Sequence, residues 1–419
     1  MFSKTKISII LLSSVFVAYG LVGGLLERVS AGDDAYKGLR VFTDVLHKVR
    51  ENYVEQPDLE RAMRGGLHGM MEALDPYSSL VDGEVYRRME EAKADKTADP
   101  GIVLSRRYGY AYVVSTVPGS TAHAGGVRTG DLLETIDGQM TAEMSLWEAR
   151  KLLVGDRGSS VSLRVIRARR SIPAPMELVR EEMDLPEVSA RMVEDGIGAL
   201  TIPHLQEGVT KDVSAKLKML LSSGLEGLIV DVRGTATGIL EEAVEVSDLF
   251  LPLDAMIVSV GGRSGERSEF LSTTEPLLSD IRIVLLIDGG TSGAAEVFAG
   301  ALKDHAIGET VGERTDGQGS VQTLFTLEDG SILEILTQLY YRSSGKPVQG
   351  RKPKDSGISP EVQSPSPDLV TNFYFENAGD DPEATLGGDF YQELNQAIRK
   401  AQFEEGLNQI RGQLLMEAA

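Results

Sequence analysis

Two short runs, Leu228-Ile229-Val230-Asp231-Val232, aliphatic but for Asp231, and the wholly aliphatic Val284-Leu285-Leu286-Ile287, set the strongest limit on how this chain can fold. Short apolar runs without polar alternation read as buried strands. Around them, from about Ile197 to Val362, strand and helix patterns alternate, and Ala294 to Leu302 forms a helical stretch of small residues suited to close packing. That alternation predicts an α/β or mixed core.

The preceding segment, about Gly101 to Val179, has a different rhythm of short strands and turns. Tyr110-Ala111-Tyr112-Val113-Val114 and Asp131-Leu132-Leu133-Glu134-Thr135-Ile136 read as strands, the second closed by the turn pair Asp137-Gly138. Ser145 is placed to cap a helix carrying Trp147, Ala149, Leu152 and Leu153, and Val161 to Val165 alternates as a strand does. Trp147 reads as packing rather than ligand stacking. Further upstream, Leu39, Phe42, Val45, Leu46 and Val49, then Met63, Leu67, Met70, Met71 and Leu74, recur at helical spacing. The predicted organisation is a leader over 1–30, a helical segment over 36–95, a strand-rich module over 98–180, the α/β core over 181–365, an acidic linker over 366–388 and a last helix over 389–419 that packs on the core or dimerises.

Composition removes several function classes. With 63 acidic against 42 basic residues the net charge is −21, which argues against non-specific nucleic-acid binding. No cysteine occurs, so a disulfide framework, a thiol nucleophile and an iron–sulfur cluster are excluded. The five histidines, His47, His68, His123, His204 and His305, form no metal-ligating pair, so neither metal nor cofactor is predicted. Lys4 and Lys6 precede an uncharged stretch from Ile7 to Leu26, close to the roughly 20 residues that cross a bilayer. It reads as an uncleaved anchor over 7–26, or as a signal cleaved after Val29-Ser30-Ala31. Either case predicts a body in the periplasm or outside the cell, held at the inner membrane or secreted.

Five motifs, in order, resemble the carboxyl-terminal processing peptidases, or tail-specific proteases. They are Leu74-Asp75-Pro76-Tyr77-Ser78-Ser79; Ala124-Gly125-Gly126-Val127 through Gly130-Asp131 to Ile136-Asp137-Gly138, similar to that family's PDZ domain; Leu228 to Arg233 followed by Gly238-Ile239-Leu240; Glu296 to His305; and Gly312-Glu313-Arg314-Thr315 with Gly317-Gln318-Gly319-Ser320-Val321-Gln322-Thr323. The resemblance implies a mixed α/β multidomain fold with an N-terminal helical segment, a PDZ-like module and a peptidase core. It also implies Ser–Lys catalysis, in which a lysine of lowered pKa activates a serine hydroxyl and backbone N–H groups hold the oxyanion.

The matching positions depart from that chemistry. The nucleophile position is Gly293 and the base position is Gln318, whose amide is not basic near neutral pH. One glycine of the oxyanion loop is replaced by Thr237; Gly238 and Ala294 remain as oxyanion positions, and Gln322 and Asp304 as orienting ones. Ser292 is either a helix N-cap or a displaced nucleophile. In the PDZ-like module, Gly101-Ile102-Val103-Leu104 would carry the loop and strand that bind a peptide, with Gly101 alternatively a plain turn. Arg106 and Arg107 either assist an acidic ligand or form a solvated patch. The expected function is a peptide-tail-binding relative without peptidase activity, acting as scaffold or regulator, with a homo-oligomer or an active relative as partner. The alternatives are an active serine endopeptidase rearranged around Ser292 and a general membrane-assembly adaptor.

Overall fold

The computed structural model describes residues 37–93, 96–167, 173–351, 355–365 and 388–417, in two compact units, one ending at Met70 and the other starting at Met71. In the first unit, helix α1 (37–52) and the start of α2 (Leu59–Leu74) meet where Gly66 faces Phe42; a Cβ at Gly66 would lie 3.0 Å from that ring.

The second unit continues with β1 (Ser79–Val81) and α3 (Gly83–Lys93) and then builds the strand-rich module. Its elements are β2 (Ile102–Arg107), β3 (Tyr110–Thr116), α4 (Thr121–Ala124), β4 (Leu132–Ile136), β5 (Gln139–Met140), α5 (Leu146–Leu153), β6 (Ser160–Ile166) and β7 (Ala174–Val179). The strands run β2-β3-β4-β6-β7, all antiparallel, with β5 paired to β4. The Asp137-Gly138 hairpin turn has φ of 47° and 76°, the positive pair a tight two-residue hairpin requires. Ser145 caps α5 reciprocally with Glu148. Trp147 is half-buried and stacks on Tyr86 of α3, its ring centroid 4.9 Å away.

The core follows as β8 (Ser189–Glu194), β9 (Ile197–Thr201), α6 (Val209–Ser222), β10 (Gly227–Asp231), α7 (Leu240–Asp248), β11 (Met256–Gly262), β12 (Arg267–Leu271), β13 (Arg282–Ile287), α8 (Ala294–Asp304), β14 (Gly308–Gly312), β15 (Ser320–Thr326), β16 (Ile332–Arg342), β17 (Val362–Gln363) and α9 (Gly388–Glu417). The central sheet runs β17-β14-β13-β10-β9-β8, parallel except for β8. Period-two alternation divides its faces. Leu228, Val230 and Leu285 point into the cluster formed with α6, α7 and α8, whereas Ile229, Val284 and Leu286 pack with Leu407 and Ile410 of α9. A Cβ at Gly227 would come within 2.5 Å of Ile410, so the helix sits directly on the backbone. The last helix therefore packs on the core. A second sheet, β1-β16-β11-β12 with β15 on β16, closes over α7 and α8.

The expected anchor over residues 7–26 lies outside the described residues, as do the leader and most of the acidic linker. Among the described residues no helix is long and apolar enough to cross a membrane. That finding corrects the expectation of an inner-membrane-anchored periplasmic body: the described chain carries no span to support it, and the localisation is withdrawn.

Candidate functional site

Three loops leave the carboxyl ends of adjacent parallel strands, the usual place for a ligand in an open α/β sheet. They are residues 232–239 after β10, 288–293 between β13 and α8, and 313–319 between β14 and β15. Hydrogen bonds tie the three together. Asp288 Oδ1 accepts from the N–H groups of Gly234 (2.8 Å) and Gly290 (2.9 Å), Thr291 Oγ1 donates to the Val232 carbonyl (2.9 Å), and Ser292 N–H donates to the Thr235 carbonyl (2.9 Å). Asp316 N–H donates to the Thr291 carbonyl at 3.1 Å.

Glu296 locks the last loop to the helix. It is fully buried in the first turn of α8, and its carboxylate accepts from the N–H groups of Gly293 (3.0 Å), Gly317 (2.7 Å) and Gln318 (2.9 Å) and from the Thr315 hydroxyl. Burial pushes its carboxyl up to about 8, against the pull of those donors, with the neighbouring Asp316 charge adding to the rise. One side chain thus holds the backbones of both positions that the resemblance assigns to the dyad.

Gly293 stands at the strand-to-helix turn with φ 62° and ψ −118°. L side chains adopt such a backbone only under strain, and sharp turns of this kind present nucleophiles in other hydrolases. A Cβ there would meet only the Gln318 carbonyl, at 4.0 Å. The turn therefore retains open space and lacks only a side chain. Gly293, not Ser292, is the N-cap, which corrects the capping reading of that serine. Ser292 is 2% exposed; its hydroxyl donates to Asp316 Oδ2 at 3.2 Å and lies 3.5 Å from Gln318 Oε1, the outer limit of a hydrogen bond.

Asp316 is the residue that sequence reasoning passed over. Its Oδ1 accepts from Arg107 of β2 at 2.7 Å, and the same guanidinium lies 4.1 Å above the Tyr112 ring. Burial raises the Asp316 carboxyl, with Arg107 and the Ser292 hydroxyl opposing. Tyr77 reaches the same junction. It accepts a 3.3 Å hydrogen bond from Ser105, and burial and the Asp316 charge push its hydroxyl up to about 12. Neither Arg106 nor Arg107 forms a solvated patch: Arg106 is 8% exposed and donates to the Met144 carbonyl at 2.5 Å. No sequence signal marked Asp316, because its partners Arg107 and Ser292 lie far from it in the chain.

Gly293, Ala294, Ser292 and Gln318 are brought together. Ala294 opens α8, where first-turn N–H groups lack intrahelical acceptors. Asp304 is a correction. It ends α8, about 15 Å of helix away, and binds Arg342 and the Ser344 N–H (3.1 Å), so it orients nothing at Gln318. Gly238 is fixed against Leu205, where a Cβ would come within 2.6 Å. Gln322 is half-buried on β15, where the pairing with β16 shifts register. Gly101 (φ 83°) is buried ahead of β2, and a Cβ there would meet Ser120 at 2.3 Å, so this turn requires glycine. Ile102, Val103 and Leu104 lie on β2, the edge strand of its sheet.

Comparisons with known proteins agree with this architecture. Peptidase family S41 matches residues 196–364, and the PDZ domain matches residues 112–167. The carboxy-terminal-processing protease of Bartonella bacilliformis is 30% identical over 373 residues, covering 87% of this chain and 84% of that one. The carboxy-terminal processing protease CtpA of Bacillus subtilis is 26% identical over 351 residues, covering 84% and 73%. Among solved structures, a photosystem II D1 C-terminal processing protease superposes with a TM-score of 0.64 at 24% identity, covering 80% of this chain and 91% of that one, a likeness of fold.

Proposed function

This chain belongs to the carboxy-terminal processing protease family with its PDZ domain, and from that membership we propose that it binds protein C-terminal tails without cleaving them, as a scaffold or regulator. The observation that carries the proposal is the pairing of Gly293 with Gln318. The turn that would present a nucleophile holds a residue with no side chain, and the position that would hold the base holds a neutral amide. Ser292 is a poor substitute. Its hydroxyl is buried, and it points to a carboxylate already paired with Arg107.

Tail recognition is supported by β2, which ends its sheet beside α5 and offers an edge for β-strand addition. The test is cleavage of an unfolded protein with an apolar tail by the full chain, with Gly293→Ser/Gln318→Lys and Ser292→Ala alongside. The expected result is no cleavage by the parent, retained tail binding, and cleavage gained by the double variant. Cleavage by the parent that disappears in Ser292→Ala would overturn the proposal in favour of a rearranged peptidase.

A further inference from the structure

The seam between α9 and the central sheet changes character at one end. Along it, Ala199 of β9 and Ile229 of β10 pack with Leu407 and Ile410. Two residues further on, the same sheet face carries Thr201 and Asp231, the last residues of their strands. On the neighbouring β8, Ser189 pairs with Thr201 and Arg191 with Ala199. Arg399, Lys400 and Phe403 of α9 close the other side and leave a cavity of about 380 Å³.

The charge of this cavity opposes that of the chain. Its lining carries Arg191, Arg233, Arg399 and Lys400 against one carboxylate, Asp231, in a protein of net charge −21. That carboxylate is already matched. Arg233 donates to it from Nε (2.8 Å) and Nη2 (2.6 Å), and its Nη1 is taken by the Arg399 carbonyl (2.7 Å) and Gln402 Oε1 (2.9 Å). The other three cations keep donors to offer. Arg191 lies 5.6 Å from the Phe403 ring centroid, a contact with the face of the ring that consumes no N–H group. Arg399 stands 3.9 Å from Asp231 and 3.8 Å from Asp288, ion pairs too long to be hydrogen bonds. Lys400 is exposed at the rim.

We propose that this cavity is a binding site for phosphate, free or as a small monoester, held by Arg191, Arg399 and Lys400, with the Ser189 and Thr201 hydroxyls as further donors. Three cations gathered on one cavity repel one another, and a dianion turns that repulsion into attraction. The donors come from β8, β9 and α9, so they approach from different sides. That suits a tetrahedral group with three acceptor oxygens better than a planar carboxylate. Phe403 and Ala199 give an apolar wall for the organic part of an ester. The assignment does not rest on the tail-binding reading, which places no ligand against α9.

The experiment is calorimetric titration of the full chain, at constant ionic strength, with inorganic phosphate, glycerol 3-phosphate and malonate. Saturable binding of phosphate or its ester is expected, with malonate about tenfold weaker, the size of one charged hydrogen bond. Whichever of the two phosphates binds tighter identifies the source, and either order supports the site. Arg191→Gln and Lys400→Gln should each weaken binding about tenfold. Both side chains are exposed, so these variants should fold as the parent does. Arg263→Gln makes the same charge change on the exposed turn between β11 and β12 and should leave binding unaltered. The proposal is overturned by no saturable binding of either phosphate at about 10 mM, by malonate binding as tightly as phosphate, or by an equal loss in all three variants.

Discussion

Placing a serine at Gly293 has a cost that the backbone sets in advance. At φ 62° and ψ −118°, a residue with a Cβ is strained by about 1–3 kcal/mol. Steric exclusion adds little, because the nearest heavy atom to that Cβ is 4.0 Å away. Loss of glycine also restricts the unfolded chain, which stabilises by about 0.4–1 kcal/mol. The strain is the larger effect, so Gly293→Ser should lower the unfolding free energy by about 1–2 kcal/mol. Gly293→Ala carries the same strain without the hydroxyl and should cost about as much. The assay is urea denaturation of each full chain followed by tryptophan fluorescence, Trp147 being the sole tryptophan, with far-ultraviolet dichroism as a second probe. If both variants match or exceed the parent in stability, the turn is not strained for L residues and the argument fails. If only the serine variant is stable, a hydroxyl contact, not backbone geometry, governs the site. A glycine here thus avoids strain that a serine at the same backbone geometry would store.

Two further outcomes follow from the same geometry. The Glu296 carboxyl is raised by burial to about 8, so between the ordinary glutamate range and pH 8 the folded state holds a proton that the unfolded state has lost. This contribution to stability is present at acid pH and is lost as pH rises through 8; a Glu296→Gln chain should lack that component of the slope, and identical slopes in the two chains would refute it. Ile410 is fully buried between α9 and the central sheet, so Ile410→Ala should cost roughly 2–5 kcal/mol in the same urea experiment, and a loss below about 1 kcal/mol would show that α9 does not hold that face.

Much of the architecture was legible in the chain. The runs around Leu228 and Val284 became central parallel strands because an aliphatic run without polar alternation suits a strand covered on both sides. Asp137-Gly138 and Ser145 fixed a hairpin and a helix start through local chemistry alone. The absent side chain at position 293 and the amide at 318 were also visible, since residue identity needs no coordinates.

What the sequence could not carry were contacts between distant segments. In the sequence Glu296 is only the first residue of the Glu296 to His305 motif, yet folding makes it the acceptor for four donors from two loops. Asp304 looked adjacent to the centre in motif order, but helical rise carries it to the far end of α8 and into a pair with Arg342. Arg106 and Arg107 read as neighbours with a common fate; strand alternation sends one to the Met144 carbonyl and the other to Asp316. The sequence by itself determined the elements and the residues that stand at positions 293 and 318, since both depend on local residue identity. Tertiary structure alone decided which charges meet, because those partners are fixed by sheet order and helix placement.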